Sequence, residues 1–146
     1  METVNLGIET ALFEELMRRV KTIPFYNFLG MKVKSIGPGT AEIEVETQEA
    51  YGNVDGSTHG GVIMAAADAA MAMAVRSLGA ATTTVQMDVC FMRHGTVGEK
   101  ITAKGWVVKA GRRIVFSGAS VFCAGKEIAM IEGTFFRTGD ILPKAE

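Results

Sequence analysis

This sequence has no excess of charge of either sign, and it contains little cysteine or histidine. Its 146 residues hold 15 basic and 16 acidic side chains, two cysteines and two histidines. A protein that binds nucleic acid carries a marked positive charge, so the near-equal numbers of acidic and basic residues exclude nucleic acid as a partner. A local basic patch for a small anion is still compatible with them. Cys90 and Cys123 form no CxxC or Cys/His pattern, so we expect no metal site and interpret both as buried free thiols in a reducing compartment.

The sequence predicts neither a secretory signal nor a membrane span. The stretch METVNLGIETALFEELMRRVK has no basic leader followed by an apolar region, so no secretory signal is predicted and a cytoplasmic location is expected. The longest apolar run, 60–78, approaches the roughly 20 residues that span a bilayer. It carries Asp68 and Arg76 and has no flanking aromatic anchors, so we predict a buried helix and no membrane partner.

Internal repeats, low-complexity tracts and linkers are absent as well, so a second domain has no support. The composition, with 48% hydrophobic and 21% charged residues, is typical of a compact globular protein. A chain of this length can bury one substantial core without disulfides or a metal. We therefore expect one domain over residues 1–146, with an N-terminal helical segment at 1–24 and a core at 25–140.

Hydrophobic spacing predicts the individual elements. Apolar residues recur every four positions from Ile8 to Val20, which indicates an amphipathic helix over 8–20. Pro24 interrupts this pattern, and we interpret the segment IPFYNFLG around it as a packed corner in preference to a lid that contacts a ligand. MKVKSI and AEIEVET predict a half-buried hairpin. After the long apolar run come four segments rich in β-branched and aromatic residues, which predict strands: TTTVQMDVCFM, EKITAKGWVVK, RRIVFSGASVFC and KEIAMIEGTFFR.

The order of these elements is helix, two strands, long helix and four strands. This is an α+β pattern, without the strict alternation that a parallel sheet requires. Turns that contain glycine separate the last four strands, so we expect those strands to form a meander. A helix that is apolar on every side cannot lie on a surface. We therefore predict one strongly curved antiparallel sheet wrapped around a central helix at 61–78.

Two features of the apolar run indicate chemistry. The motif GSTHGG places Gly60 and Gly61 where the helix begins, so free amides and the positive end of the helix dipole form a candidate oxyanion site. Asp68 stands among alanines and methionines, where an ionised carboxylate costs several kcal/mol unless it is paired or opens onto a wet cleft. It is either a structural acid satisfied by a hydroxyl, a backbone donor or Arg76, or a group that hydrolyses an acyl substrate with the nearby amides.

Gly60 and Asp68 are too far apart on one helix to act on the same carbonyl. Eight residues, at a rise of 1.5 Å each, separate them by about 12 Å. If two such helices run antiparallel across a twofold axis, however, the start of one faces the middle of the other, and a symmetric dimer builds two identical composite sites. If this pair is catalytic, the sequence thus predicts at least a homodimer.

Six positions around the start of the apolar run form a set: Asn53, Gly56, His59, Gly60, Gly61 and Asp68. Together they resemble the signature of hotdog-fold acyl-CoA thioesterases, specifically the PaaI-like group of the phenylacetate pathway. The likeness runs from about residue 25 to 137, although His94 stands where related chains often have proline. The resemblance implies a double sheet shared by two protomers, often a dimer of dimers, and hydrolysis of an acyl-CoA to a free acid and CoA without metal or organic cofactor.

The resemblance also assigns roles by position. The Gly60 amide would polarise the thioester carbonyl, while Asp68 of the other subunit would activate water or attack directly. Asn53 and His59 would position the thioester and its leaving sulfur. Thr84 matches the position at which a hydroxyl assists the water.

Binding of the CoA portion is expected at the turn KAGRR, because CoA carries phosphates and arginine suits them. The resemblance implies that the backbone of this turn lines the pantetheine arm, while a solvated basic turn is the alternative for its side chains. The candidate substrate-binding and CoA-binding residues are Gly61, Phe91, Arg93, Lys109, Gly111, Arg112 and Arg113. Methionines and aromatic residues indicate either a small-to-medium or aromatic acyl group or an ordinary core.

Two other functions remain open for a hotdog chain. An acyl-thioester dehydratase or hydratase needs a histidine and an acid at the α and β carbons, and only His59 and His94 are available. A non-catalytic acyl-CoA-binding sensor would carry an added DNA-binding segment. The residues before the first predicted strand hold no basic helix pair, so we favour the hydrolase.

Overall fold

The computed structural model describes residues 2–144. Within that range the chain forms three α-helices and seven strands, in the order β1 (Val4–Asn5), α1 (Thr10–Val20), α2 (Pro24–Leu29), β2 (Met31–Gly37), β3 (Thr40–Glu46), α3 (Gly60–Arg76), β4 (Ala80–Phe91), β5 (Lys100–Ala110), β6 (Ile114–Cys123) and β7 (Lys126–Asp140). A short 3-10 helix, Glu49–Tyr51, precedes the loop that leads to α3.

All seven strands belong to one sheet in the order β1-β2-β3-β5-β6-β7-β4. The pairings are antiparallel except for the two-residue pairing of β1 with β2. Helix α3 packs against every strand from β2 to β7. The predicted α+β class, with the sheet around one long helix, is confirmed.

The predicted meander of four strands is wrong, because β4 does not pair with β5. It pairs with β7 along its whole length, from Ala80 opposite Asp140 to Phe91 opposite Ala129. The loop at 92–99 is longer than a tight hairpin turn allows, and it carries the chain across the sheet to β5. β4 therefore lies at the end of the sheet, and its outer edge pairs with no strand of residues 2–144.

The two N-terminal helices differ from prediction at their starts. The side-chain oxygen of Asn5 accepts hydrogen bonds from the amides of Gly7 and Ile8, and this turn delays α1 to Thr10. The predicted corner at Pro24 is a helix instead, because proline at the first helical position gives up an amide that would have no partner there. Gly30, with φ of 64°, ends α2 in the left-handed conformation.

The core lies between α3 and the sheet. Alanine and methionine side chains along α3 are buried on nearly every side, as predicted for a helix inside its own sheet. Gly105 of β5 allows this packing, because a Cβ there would lie 2.4 Å from the carbonyl carbon of Ala70. In residues 2–144 no helix is long and apolar enough to cross a membrane.

The two cysteines differ in exposure. Cys123 is buried, whereas Cys90 is exposed, so the expectation of two buried thiols is wrong for Cys90. Side chains alternate between the two faces of a strand, and Cys90 points away from α3, beside Trp106 and Met130 on the outer face of the sheet. Both thiols are free.

Candidate active site

The loop before α3 is held by hydrogen bonds around Ser57. The Asn53 backbone amide donates to the Ser57 carbonyl at 2.8 Å, and the Asn53 side-chain amide donates to the Ser57 hydroxyl at 2.9 Å. Ser57 in turn donates from its hydroxyl to Asp55 at 2.6 Å, and this bond lowers the pKa of the Asp55 carboxyl. These contacts fix the direction in which the chain enters α3.

His59 caps the helix and decides which amides of the first turn stay open. Its Nδ1 accepts a hydrogen bond from the Gly61 amide at 2.8 Å, and its carbonyl accepts one from Val62 at 3.0 Å. The Gly60 amide donates to no acceptor in the part of the chain that the structure describes. Of the two glycines predicted to form an oxyanion site, Gly60 is therefore the one with a free N–H.

The Gly60 amide lies in a cleft of about 280 Å³, here termed the Gly60 cleft, which Asn53, Thr58, Phe91 and Arg93 also line. The Phe91 ring lies against Gly60, and a Cβ added at Gly60 would lie 3.1 Å from the Cζ of Phe91. The buried Thr58 hydroxyl has no hydrogen-bond partner within residues 2–144. Sequence reasoning missed Thr58, since a threonine in a glycine-rich loop has no distinguishing pattern.

Asp68 lies in a second cleft of about 270 Å³, here termed the Asp68 cleft, which Tyr26, Arg76, Thr82 and Thr84 also line. The half-buried Asp68 accepts a hydrogen bond at Oδ1 from the Thr84 hydroxyl at 2.6 Å. Thr84 thus supplies the hydroxyl donor that the sequence left open as a partner for Asp68. Arg76 forms no ion pair with Asp68 or with any other carboxylate of residues 2–144.

One chain keeps these two clefts apart. Gly60 and Asp68 are eight residues apart on α3, or about 12 Å along the axis. Hydrolysis needs the polarising amide and the base within hydrogen-bond reach of the same reacting group. Within the described chain, the Gly60 amide and the Asp68 carboxylate therefore cannot both reach one reacting group.

The residues predicted to bind CoA fall into two groups. The exposed turn at 109–113 lies at the Asp68 end of the sheet, because Val115 pairs with Phe135, which pairs with Thr84. Its shape depends on Gly111, where a Cβ would lie 2.6 Å from the Ile114 carbonyl oxygen. Arg93 lies at the opposite end of β4, in the Gly60 cleft.

Tyr26 and Arg76 were not predicted as site residues. Burial raises the pKa of the Tyr26 hydroxyl, and the nearby Arg76 opposes that rise by its charge and by a hydrogen bond. Tyr26 belongs to α2 and Arg76 to the last turn of α3, so only the folded chain brings them together. Within residues 2–144 no three His, Cys, Asp or Glu side chains are grouped as ligands for a metal ion.

Comparison with known proteins gives matches over most of the chain. The model of the thioesterase superfamily matches residues 55–130. The acyl-coenzyme A thioesterase PaaI of Escherichia coli K12 is 30% identical over 112 residues, which are 76% of this chain and 80% of that protein. Human acyl-coenzyme A thioesterase 13 is 28% identical over 124 residues, covering 82% of this chain and 89% of its own.

The structural comparison agrees. The structure of the E. coli PaaI protein from the phenylacetic acid degradation operon superposes with a TM-score of 0.86, at 23% identity, over 92% of this chain and 98% of its own. At that identity the likeness is one of fold, and it confirms the predicted hotdog architecture. The family match covers the start of α3, Asp68 and Thr84. The chain therefore belongs to the thioesterase superfamily and is a thioester hydrolase with the hotdog fold.

Proposed function

We propose that a homodimer of this chain hydrolyses acyl-CoA thioesters to a free acid and CoA. Each site combines the Gly60 cleft of one protomer with the Asp68 cleft of the other. The observation that carries the proposal is the separation of an open Gly60 amide from a hydroxyl-bound Asp68 carboxylate by about 12 Å on one helix. The relatives named acyl-coenzyme A thioesterases support the substrate class.

The dimer in this proposal forms through the free edge of β4. An exposed strand edge with unpaired amides and carbonyls invites another strand. Two copies of β4 that pair antiparallel about a twofold axis would continue the sheet from one protomer into the next and would set the two α3 helices antiparallel. Such a dimer, alone or in a dimer of dimers, brings each Gly60 towards the partner's Asp68.

The Gly60 amide polarises the thioester carbonyl. As the first amide of α3 it points out of the helix and adds the positive end of the helix dipole to its own hydrogen bond. Both favour the negative charge that develops on the carbonyl oxygen when the carbon is attacked. His59 keeps this geometry by holding the next amide, that of Gly61, at 2.8 Å.

Asp68 acts as the general base. Thr84 occupies Oδ1, so Oδ2 is left to take a proton from a water that attacks the carbonyl carbon. The tetrahedral intermediate then collapses, the carbon–sulfur bond breaks, and CoA leaves as a thiolate that takes up a proton. Direct attack by Asp68 is the alternative, and incorporation of labelled water oxygen in a single turnover distinguishes the two.

The remaining predicted residues hold the rest of the substrate. Asn53 and Phe91 line the Gly60 cleft, and His59 precedes Gly60 in the chain. In the proposal these three position the thioester and its leaving sulfur, and the backbone of Gly61 adjoins them. The backbone at Gly111 lines the pantetheine arm. The phosphates of CoA are bound by arginine and lysine side chains: Arg93, Lys109, Arg112 and Arg113. Residues 1–146 act in this proposal as one domain in the cytoplasm, in keeping with two free cysteines.

The test is release of free thiol from a panel of acyl-CoA substrates by wild type and by Asp68→Asn. The substitution keeps the size of the side chain and removes the base, so kcat falls by about 10²- to 10⁴-fold. Glu14→Gln, a loss of one exposed acid on α1, is the control and keeps wild-type kcat. Near-normal kcat in Asp68→Asn contradicts the proposal, as does hydration of an enoyl-CoA, or binding of acyl-CoA, without release of CoA by wild type.

A further inference from the structure

Arg76 occupies a position that the hydrolytic mechanism does not use. It lies in the last turn of α3, is partly buried, and lines the Asp68 cleft. It also lines a neighbouring cleft of about 260 Å³ that Arg19, Ile23 and Thr82 share. Arg76 therefore lies between the Asp68 cleft and the neighbouring cleft beneath α1.

The guanidinium has few acceptors of its own. Within residues 2–144 it forms no ion pair. Its Nη1 donates to the Met73 sulfur at 3.6 Å, which is a weak acceptor, and a hydrogen bond joins it to the neutral Tyr26 hydroxyl. A guanidinium offers five N–H donors in a planar fork that matches a carboxylate. Partial burial without an anion leaves a desolvation cost that a bound carboxylate would offset.

Tyr26 adds a second donor to the same wall. It is 8% exposed, and the raised pKa of its buried hydroxyl keeps it protonated at neutral pH. Asp68 provides the only carboxylate among the described residues that line this cleft, and Thr84 already binds it. The cleft thus has an acid at one end, a cation at the other, and a neutral hydroxyl that feels the charge of both.

The distance between the two ends limits what fits between them. Arg76 bonds back to the sulfur of Met73, and Met73 is five residues beyond Asp68, or about 7.5 Å along the axis between the two Cα levels. An extended chain advances about 3.5 Å for every three bonds, so this span corresponds to about six bonds. The volume of about 270 Å³ lies at the lower end of small-molecule pockets and suits a short acyl group.

We propose that Arg76, assisted by Tyr26, binds a carboxylate at the far end of the acyl group, so that the enzyme selects short dicarboxylic acyl-CoA thioesters over monocarboxylic ones of equal length. This inference rests on the proposed function, because it places the thioester at Asp68. It adds a specificity determinant and a substrate class. The neutral cleft expected for an uncharged small-to-medium or aromatic acyl group would have no use for a guanidinium that faces no anion.

The experiment compares kcat/KM for two matched pairs, glutaryl-CoA with pentanoyl-CoA and adipoyl-CoA with hexanoyl-CoA, after subtraction of enzyme-free hydrolysis. Wild type prefers the carboxylated member of at least one pair. Arg76→Met lowers that preference by about 10- to 100-fold, the value of a hydrogen bond to a charged group. Arg76→Lys restores part of it, because an ammonium keeps the charge but not the fork. Arg18→Met, which removes an exposed arginine of α1, leaves the preference unchanged.

The ratio separates specificity from general damage. A purely structural role for Arg76 lowers both members of a pair equally and leaves the ratio intact, which overturns the inference while hydrolysis persists. Tighter binding of glutaryl-CoA than of pentanoyl-CoA to Asp68→Asn, lost on adding Arg76→Met, supports it without turnover. If wild type hydrolyses no acyl-CoA, the proposed function fails, and equal binding of the two thioesters to Asp68→Asn then overturns the specificity as well.

Discussion

Replacing Gly60 with proline removes one backbone N–H and keeps the path of the backbone. Gly60 is the first residue of α3, where proline is tolerated because that amide has no helical partner. The preceding residue, His59, already has φ of −58° and ψ of 134°, the extended conformation that a residue before proline adopts. Gly60→Pro therefore deletes the proposed carbonyl-polarising donor in an otherwise compatible backbone.

Gly60→Ala is the matched control. Alanine and proline both place a Cβ about where the ring of Phe91 begins, 3.1 Å from its Cζ. The ring is half-exposed and can move by the few tenths of an ångström that both substitutions require. Alanine keeps the N–H, so a difference between the two variants reports the loss of that N–H, together with the Cδ that proline puts in its place, rather than the crowding at Cβ.

Loss of one donor from an oxyanion site lowers kcat by about 10²- to 10³-fold, which is roughly 2.7 to 4 kcal/mol. We expect that loss in Gly60→Pro, and a loss of less than about tenfold in Gly60→Ala, where only a side chain has to shift. The assay is free-thiol release at saturating acyl-CoA, with thermal unfolding as a check on folding. Equal losses in the two variants, or full kcat in Gly60→Pro, would refute the role of the amide.

Three further outcomes follow from single contacts. Thr84→Val lowers kcat by about tenfold through loss of the bond to Asp68, whereas Thr84→Ser retains it; equal activity in both contradicts this. Gly105→Ala lowers the free energy of unfolding, measured in urea, by about 1 to 3 kcal/mol, because the added Cβ meets the backbone of α3. An unchanged free energy of unfolding would contradict this. Hydrogen bonds from Arg18 and Arg19 lower the pKa of Glu15 from 4.5 to about 2. Wild type therefore loses this contribution to folding stability as the pH falls from 4.5 to about 2, and Glu15→Gln lacks it at every pH. The same dependence of unfolding free energy on pH in both proteins would contradict this.

Local patterns predicted the parts of the fold that depend on neighbouring residues. The all-apolar run predicted a helix inside the sheet, and the resemblance placed Thr84 where the structure brings its hydroxyl to Asp68. The resemblance also names the Gly60 amide, and the structure gives the physical reason why it is open, because His59 binds the amide of Gly61 instead. No pattern along the chain indicates which backbone amide a capping histidine will bind.

The errors concern contacts between distant parts of the chain. Four strands in succession look like a meander whichever edge each one joins, so the pairing of β4 with β7 was missed. Pro24 predicts the end of a helix when the helix start is not known, but proline is also favourable as the first residue of a helix, as it is in α2. Tyr26 and Arg76 come from different helices, and neither carries a motif that predicts their meeting.

The central claim, a site shared between protomers, is tested most directly by mixing two inactive variants. Asp68→Ala and Gly60→Pro are combined in equal amounts after dissociation and reassociation, with exchange confirmed by native mass spectrometry. If each site takes Gly60 from one protomer and Asp68 from the other, half of the dimers are mixed and each holds one intact site, so about a quarter of wild-type activity returns. No recovery despite complete exchange would contradict the shared site.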